Sequence, residues 1–227
     1  DPLWSRGLGD VYKRQGMLSY YAEKAAAKNL VSIIASNASP WVAPYGGSEG
    51  RFGTNPICYG FPSDDDPVIW DIGTSAIIHA EVTLHKRLKK PLKKGVAFDF
   101  QGKPTMDPVE ALGGAFAPWG GAKGSGLAIV VQLLGALAGS PAIPPELAEF
   151  GFVMIAIDPD LLGDTALFKA KVADYAKTIR NTRPLDPDNP VRMPFDRSRE
   201  LRKQCQALGS IEVESHVYEG LKAILAN

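Results

Sequence analysis

The apolar positions of this 227-residue chain fall into short runs that switch between helical and strand spacing. Leu18, Tyr21, Ala25 and Ala26 recur at helical intervals in Met17–Asn29, which predicts an amphipathic helix. Leu30–Ala35 is a brief apolar, β-branched run, predicted as a buried strand and broken by Ser36-Asn37-Ala38-Ser39-Pro40. Val42–Pro56 is too rich in glycine, proline and asparagine for a regular element and reads as a loop. Ile57–Phe61 and Val68–Asp71 read as strands on either side of a turn at Pro62–Pro67. Thr74 or Ser75 is suited to cap a helix reaching about Lys90, where Leu88-Lys89-Lys90 puts positive charge at the favourable end of the helix dipole.

In the second half, Phe98–Pro108 is a turn-rich connection and Gly113–Gly126 a second glycine loop, followed by a largely buried apolar helix over Leu127–Leu137. Gly151–Ile157 is predicted as a buried strand and Asp164–Asn181 as a helix, with Leu167, Val172, Tyr175 and Ile179 at helical spacing. A proline-rich extended stretch, Asn181–Pro194, leads to two last helices at Ser198–Leu208 and Val213–Leu225. Strands and helices do not alternate in the strict rhythm of a doubly wound sheet, so the pattern predicts an α+β fold or a mixed sheet.

Composition narrows the function classes. Twenty-five basic and 25 acidic residues balance, leaving no electrostatic footprint for nucleic acid or an anionic membrane. No apolar run approaches the roughly 20 residues that a membrane span requires. Two distant cysteines, Cys58 and Cys205, suit reduced thiols in a cytoplasmic protein. Ser5–Gln15 (SRGLGDVYKRQ) matches, codon by codon, the translation of a transposase-type sequencing adapter. Residues 1–15 are therefore expected to be an artefact, with coding sequence starting near Gly16.

Two glycine loops carry the candidate chemistry. Gly120-Gly121-Ala122-Lys123-Gly124-Ser125-Gly126 opens into the apolar helix, where backbone N–H groups and Lys123 could hold an anion. It fits neither the P-loop nor the Rossmann fingerprint, and by itself it is a packing device or an anion site. The other, Gly46–Pro56, is a decorated turn or a set of short donors and acceptors. Asp71 ends an apolar strand and could orient a histidine or start the next helix. His79 and His85 are six positions apart and share no helical face, and neither pairs with His216 or a cysteine at metal-ligand spacing.

These words, in this order, resemble the malate/L-lactate dehydrogenase family, which includes ureidoglycolate dehydrogenase, 2,3-diketogulonate reductase and Δ1-piperideine-2-carboxylate reductase. The matching segments are Ser36–Gly47, Gly53–Pro56 (GTNP), Asp71–Ser75 (DIGTS), Gly102–Pro108, Pro118–Ala128 (PWGGAKGSGLA), Gly151–Pro159 and Val191–Ser198. The resemblance implies a non-Rossmann cofactor domain around a mixed, largely antiparallel sheet (residues 16–150). It also implies a helical C-terminal segment (151–227) that packs with an N-terminal part. It implies an NAD- or NADP-dependent, usually homodimeric oxidoreductase that interconverts small 2-hydroxy and 2-keto acids, with no metal. Ser36, Thr54, Asn55, Pro56 and Arg197 would line the cofactor, Lys123 would lie near it or the substrate, and Asp71 would partner a catalytic histidine. That histidine and a substrate-binding arginine belong to the family's N-terminal region and have no counterpart from Gly16 onward. The chain as written is accordingly expected to be inactive. A cofactor-binding or dimerising remnant and a non-enzymatic anion-binding module are the alternatives. Three departures stand out: Ala80-Glu81 for the usual Gly-Lys, Pro194-Phe195-Asp196-Arg197 for Pro-Gly-Glu-Arg, and Lys123-Gly124-Ser125-Gly126 for KGYG.

Overall fold

A computed structural model describes residues 17–145, 148–213 and 215–225. The expected adapter segment at 1–15 lies outside them. The chain divides into two compact units, Asp1–Tyr175 and Ala176–Asn227.

In the first unit, helix α1 (Leu18–Ala26) leads to strand β1 (Val31–Ser36), and a long loop then reaches the hairpin of β2 (Ile57–Phe61) and β3 (Val68–Ile72). Strand β6 (Phe152–Ile157) returns late in the sequence to complete a four-stranded sheet in the order β3-β2-β1-β6. Every pairing in it is antiparallel: Ser32 faces Gly60, Cys58 faces Asp71 and Ile33 faces Ile155. The only parallel contact among the described residues is an isolated bridge, Val42 to Phe116. An α+β fold is thus present, and its main sheet is antiparallel rather than mixed.

Alternation along the strands sends even and odd positions to opposite faces. Ser32 and Gly60 face α1, and a Cβ on Gly60 would lie 2.9 Å from that of Ala22. The bare glycine lets the helix settle onto the strand. Ala35 and Ile57, on the other face, pack with Val131 of α4 (Ala122–Leu137). Gly124, Ala128, Val131 and Gly135 recur at helical spacing and make the small, buried ridge of α4. Approach along this ridge is close. A Cβ on Gly135 would fall 2.2 Å from the Asn37 amide carbon, and one on Gly151 would fall 2.1 Å from the Gly135 carbonyl oxygen.

A second cluster of Val42, Phe52, Ile77, Val82, Leu92 and Phe116 knits the loops to α2 (His79–Leu88). Here too lie a two-stranded ladder of β4 (Ala97–Phe98) and β5 (Ala115–Phe116), and the short helix α3 (Pro108–Gly113). The sequence reading missed all three. For α3 the signal was present: Asp107 accepts the Val109 N–H at 2.7 Å and proline occupies the first turn.

Two helix starts and the burial of one strand differ from expectation. Helix α2 starts at His79, because the backbone of 73–78 is spent on other segments: Thr74 N–H donates to Thr54 O and Ala76 N–H to Ala117 O. Helix α4 starts five residues before Leu127, since two glycines at positive φ, Gly120 and Gly121, make the turn and the rest of the glycine loop is already helical. Strand β6 is not buried. It forms the edge of the sheet, and Met154 and Ile155 are 43% and 44% exposed.

Helix α5 (Thr165–Arg180) ends within the second unit, which also holds α6 (Asp196–Leu208) and α7 (Ser215–Leu225). There the Arg180 guanidinium grips the Asp196 carboxylate through Nε and Nη2 at 2.9 and 2.8 Å. Arg199 adds a longer contact of 3.7 Å, and Met193 N–H donates to the same carboxylate. No helix among the described residues is long and apolar enough to cross a membrane.

Candidate functional site

One end of the four-stranded sheet gathers most of the residues singled out from the sequence. Ser36 N–H donates to Pro56 O at 3.2 Å, and the Ser36 hydroxyl donates to Gly151 O at 2.8 Å. Asn55 sits at φ 36°, a left-handed conformation that asparagine tolerates better than most side chains. Its Oδ1 accepts the Ala38 N–H, while Nδ2 donates to Ala128 O and Gln132 Oε1, both at 2.8 Å. Ser36 and Asn55 are fully buried, so their side chains fasten the loop to α4 and to the strands. Thr74, which the sequence suggested as a helix cap, instead donates its hydroxyl to the carbonyls of Thr54 and Asn55. Thr54 is half-buried, and its hydroxyl carries no hydrogen bond among the described residues.

Asp71, next to this cluster on β3, accepts the Ser19 N–H at 2.8 Å through Oδ2. Ser19 belongs to the first turn of α1, whose N-cap residue, Met17, offers no side-chain cap. A carboxylate there meets one of the orphan donors of the helix start and the positive end of its dipole. Asp71 therefore caps a helix, but one 52 positions earlier in the chain rather than the next one. Its charge also touches Cys58 across the ladder. Burial first, and the Asp71 carboxylate second, push that thiol up to about 12.

The start of α4 is tied to the same region, for Trp119 N–H donates to Thr74 O at 2.8 Å. Gly124 has no room for a side chain, since a Cβ would lie 1.5 Å from Trp119 O. Lys123, in the first turn, is exposed and forms no ion pair among the described residues. Beside this turn opens a cleft of about 700 Å³, walled by the 44–48 loop, Gly95, Phe98, Gly102, Pro104 and the 117–121 segment. Tyr45 is held against α4 by its N–H, which donates to the Ser125 hydroxyl at 3.0 Å. Glycine shapes the cleft: a Cβ on Gly102 would collide with Ser48 Oγ, and Gly121 holds φ 62°, a conformation that side-chain-bearing residues rarely adopt.

Sequence reasoning missed Gln132, which ties Asn55 and the Gly53 N–H to α4, and the stacking of His79 on Trp41 at 4.3 Å between ring centroids. Burial lowers the pKa of His79. His85 Nδ1 lies 2.8 Å from Pro91 O. Neither histidine is hydrogen-bonded to Asp71. No cluster of potential metal ligands occurs among the described residues. Arg197 belongs to the second unit, exposed in the first turn of α6. Two positions before it, Phe195 holds φ 74°.

The sequence profile described as malate/L-lactate dehydrogenase matches residues 12–222. The chain is 32% identical over 230 residues to an L-sulfolactate dehydrogenase of Methanocaldococcus jannaschii, covering 96% of this chain and 66% of that protein. It is 32% identical over 225 residues to a (2R)-3-sulfolactate dehydrogenase (NADP(+)) of Chromohalobacter salexigens, covering 92% and 63% of the two chains. The crystal structure of a dehydrogenase from Sinorhizobium meliloti superposes with a TM-score of 0.86 at 35% identity, over 93% of this chain and 64% of that one. The chain thus spans less than two thirds of the length of each.

Proposed function

The chain belongs to the malate/L-lactate dehydrogenase family, and from that membership we propose that the whole protein is a nicotinamide-dependent oxidoreductase of small 2-hydroxy and 2-keto acids. The observation that carries this reading is the convergence of Asp71, Thr54 and the segment leading to Lys123 at one end of the sheet. Residues 16–150 are the cofactor-binding part, with β6 from beyond that boundary completing the sheet.

The cleft suits a dinucleotide. Its glycine walls let a ligand approach the backbone, and the exposed ring of Tyr45 in the lining offers a surface on which a flat group could stack. Its size is within the range of small-molecule and cofactor sites. Where the first turn of α4 begins, N–H groups without helical partners favour an anionic group, and Lys123 adds a full positive charge. In this reading Thr54 supplies a reachable hydroxyl, while Ser36, Asn55 and Pro56 hold the backbone around it.

When bound, the nicotinamide supplies or takes up the hydride. The residues of this chain position the reactants. Asp71 holds the first turn of α1, just after the segment where family members carry the histidine that exchanges a proton with the substrate oxygen. A cytoplasmic homodimer is the expected setting.

Equilibrium titration with NADH and NADPH, followed by quenching of tryptophan fluorescence, tests the cofactor reading. Saturable binding is expected, without turnover of pyruvate or oxaloacetate by the chain as written. Absence of binding by either nucleotide overturns it, and measurable turnover refutes the need for an upstream proton donor.

A further inference from the structure

The net charge of zero conceals a local excess. Lys86, Arg87, Lys89, Lys90, Lys93 and Lys94 fall within nine positions, all are exposed, and none forms an ion pair among the described residues. No acidic residue interrupts the sequence between Glu81 and Asp99. The fold brings these cations to one place. Helix α2 closes at Lys89 in a left-handed turn with φ 51°, and Lys90 N–H returns to His85 O. Leu92, 1% exposed, then pins the loop into the core while its N–H donates to Met106 O. Lys93 and Lys94 are thereby delivered to Gly95, which lines the cleft. Lys103 adds a further cation between the lining residues Gly102 and Pro104.

The acidic groups nearby are engaged. Asp99 accepts the N–H groups of Gln101 and Lys103, Asp107 caps α3, and Glu110 is bonded to the Thr105 hydroxyl. Glu81 lies at the far, N-terminal end of α2. No acidic side chain lines the cleft among the described residues. Cations outnumber the carboxylates beside the cleft, and such an excess of positive charge raises the local concentration of anions.

We propose that the cationic rim formed by Lys86–Lys94 makes the cleft selective for the phosphorylated nicotinamide dinucleotide over its unphosphorylated counterpart. This inference rests on the cofactor reading above. The additional phosphate monoester carries about −1.5 to −2 charges at neutral pH, so the more anionic dinucleotide gains more from the rim. Because the cations are solvated rather than buried, the preference is expected to be sensitive to salt.

The test is a set of dissociation constants for NADPH and NADH on the purified chain, measured by fluorescence from about 50 mM to about 500 mM salt. Tighter binding of NADPH is expected, with a ratio that shrinks as salt rises. The double variant Lys93→Glu/Lys94→Glu is expected to lose about tenfold in NADPH affinity at low salt, with a much smaller change for NADH. Lys86→Gln/Lys90→Gln, which removes charge without reversing it, is expected to show a smaller loss in the same direction. Lys171→Glu, a reversal on exposed α5, is expected to leave the ratio unchanged, and circular dichroism confirms folding of each variant. Equal affinity for the two nucleotides, or a ratio that the rim variants do not move, overturns the rim's role while leaving the cofactor reading intact. Failure of both nucleotides to bind the unmodified chain removes the cofactor reading and the rim's role together.

Discussion

Asp71 Oδ2 accepts the backbone N–H of Ser19 at 2.8 Å and so links the end of β3 to the first turn of α1. The helix has no side-chain cap of its own, and the carboxylate comes from a strand that α1 packs against. Removing it in Asp71→Ala is expected to cost about 1 kcal/mol of stability, the usual worth of a helix cap. Asp71→Asn, which keeps an acceptor but not the charge, is expected to lose less. Urea unfolding followed by circular dichroism checks both, and an unchanged midpoint for the alanine variant would show that the contact contributes nothing.

Two glycines in the first turns of α4 separate packing from helix propensity. Gly124→Ala would drive a methyl into the Trp119 carbonyl, whereas Gly126→Ala meets open space. The first is expected to destabilise by about 2 kcal/mol or more, since the obstacle is backbone. The second is expected to stabilise by up to about 1 kcal/mol, the propensity gain of alanine over glycine. Thermal melts of the pair should move in opposite directions.

Asn55 satisfies the Ala38 N–H and donates to Ala128 O and Gln132 Oε1 inside a fully buried site. Asn55→Ala strands these groups without water, so a loss of about 3 kcal/mol or more is expected. Hydrogen exchange at Ala38, read by NMR, should accelerate together with the global loss. A variant as stable as the parent would contradict the role assigned to this amide.

Asp196 gives the second unit a pH dependence. The Arg180 hydrogen bond holds its carboxyl below the ordinary aspartate range, against a smaller opposing effect of burial. A depressed folded-state pKa contributes stability above the unfolded value of about 4 and loses it as pH falls through the folded value. Acid titration is therefore expected to loosen the contacts of α6 below about pH 4. Arg180→Gln should raise the midpoint of the Asp196 carboxyl resonance. No change in that midpoint would separate the titration from the ion pair.

Cys58 is fully buried and its thiol is pushed up to about 12. Since the thiolate is the reactive form, a disulfide reagent at pH 8 should leave Cys58 intact in the folded protein and modify it only on unfolding. Mass spectrometry of native and denatured samples distinguishes it from the half-exposed Cys205.

Local pattern revealed much of this fold because several elements are governed by short-range spacing. Val31–Ser36, Ile57–Phe61 and Thr165–Arg180 lie within a residue of their expected limits. What was illegible depends on contacts distant in sequence. The cap from Asp71 to Ser19 is one example, and the return of β6 to pair with β1 is another. Gly151–Ile157 looks buried because its residues are apolar, yet a strand at a sheet edge remains open on one side. Gly120–Gly126 looks like one loop because glycine is a poor helix former, yet packing against Trp119 and Asn37 demands small residues within the helix itself. Among the candidate site residues, sequence words proposed Asp71, Thr54 and Lys123, whereas the hydrogen bonds of Thr74 and Gln132 are visible only in the tertiary contacts.

The near-contact of Asn37, Gly135 and Gly151 also restricts how this chain can vary. Asn37 Oδ1 accepts the Gly151 N–H at 2.7 Å, while the space between Gly135 and its two neighbours excludes even one methyl group. No one of the three positions can enlarge while the others stay as they are. Three sites more than 100 residues apart at their extremes thus behave as a single heritable unit, and a library that randomises them one at a time would discard variants that only joint replacement could rescue.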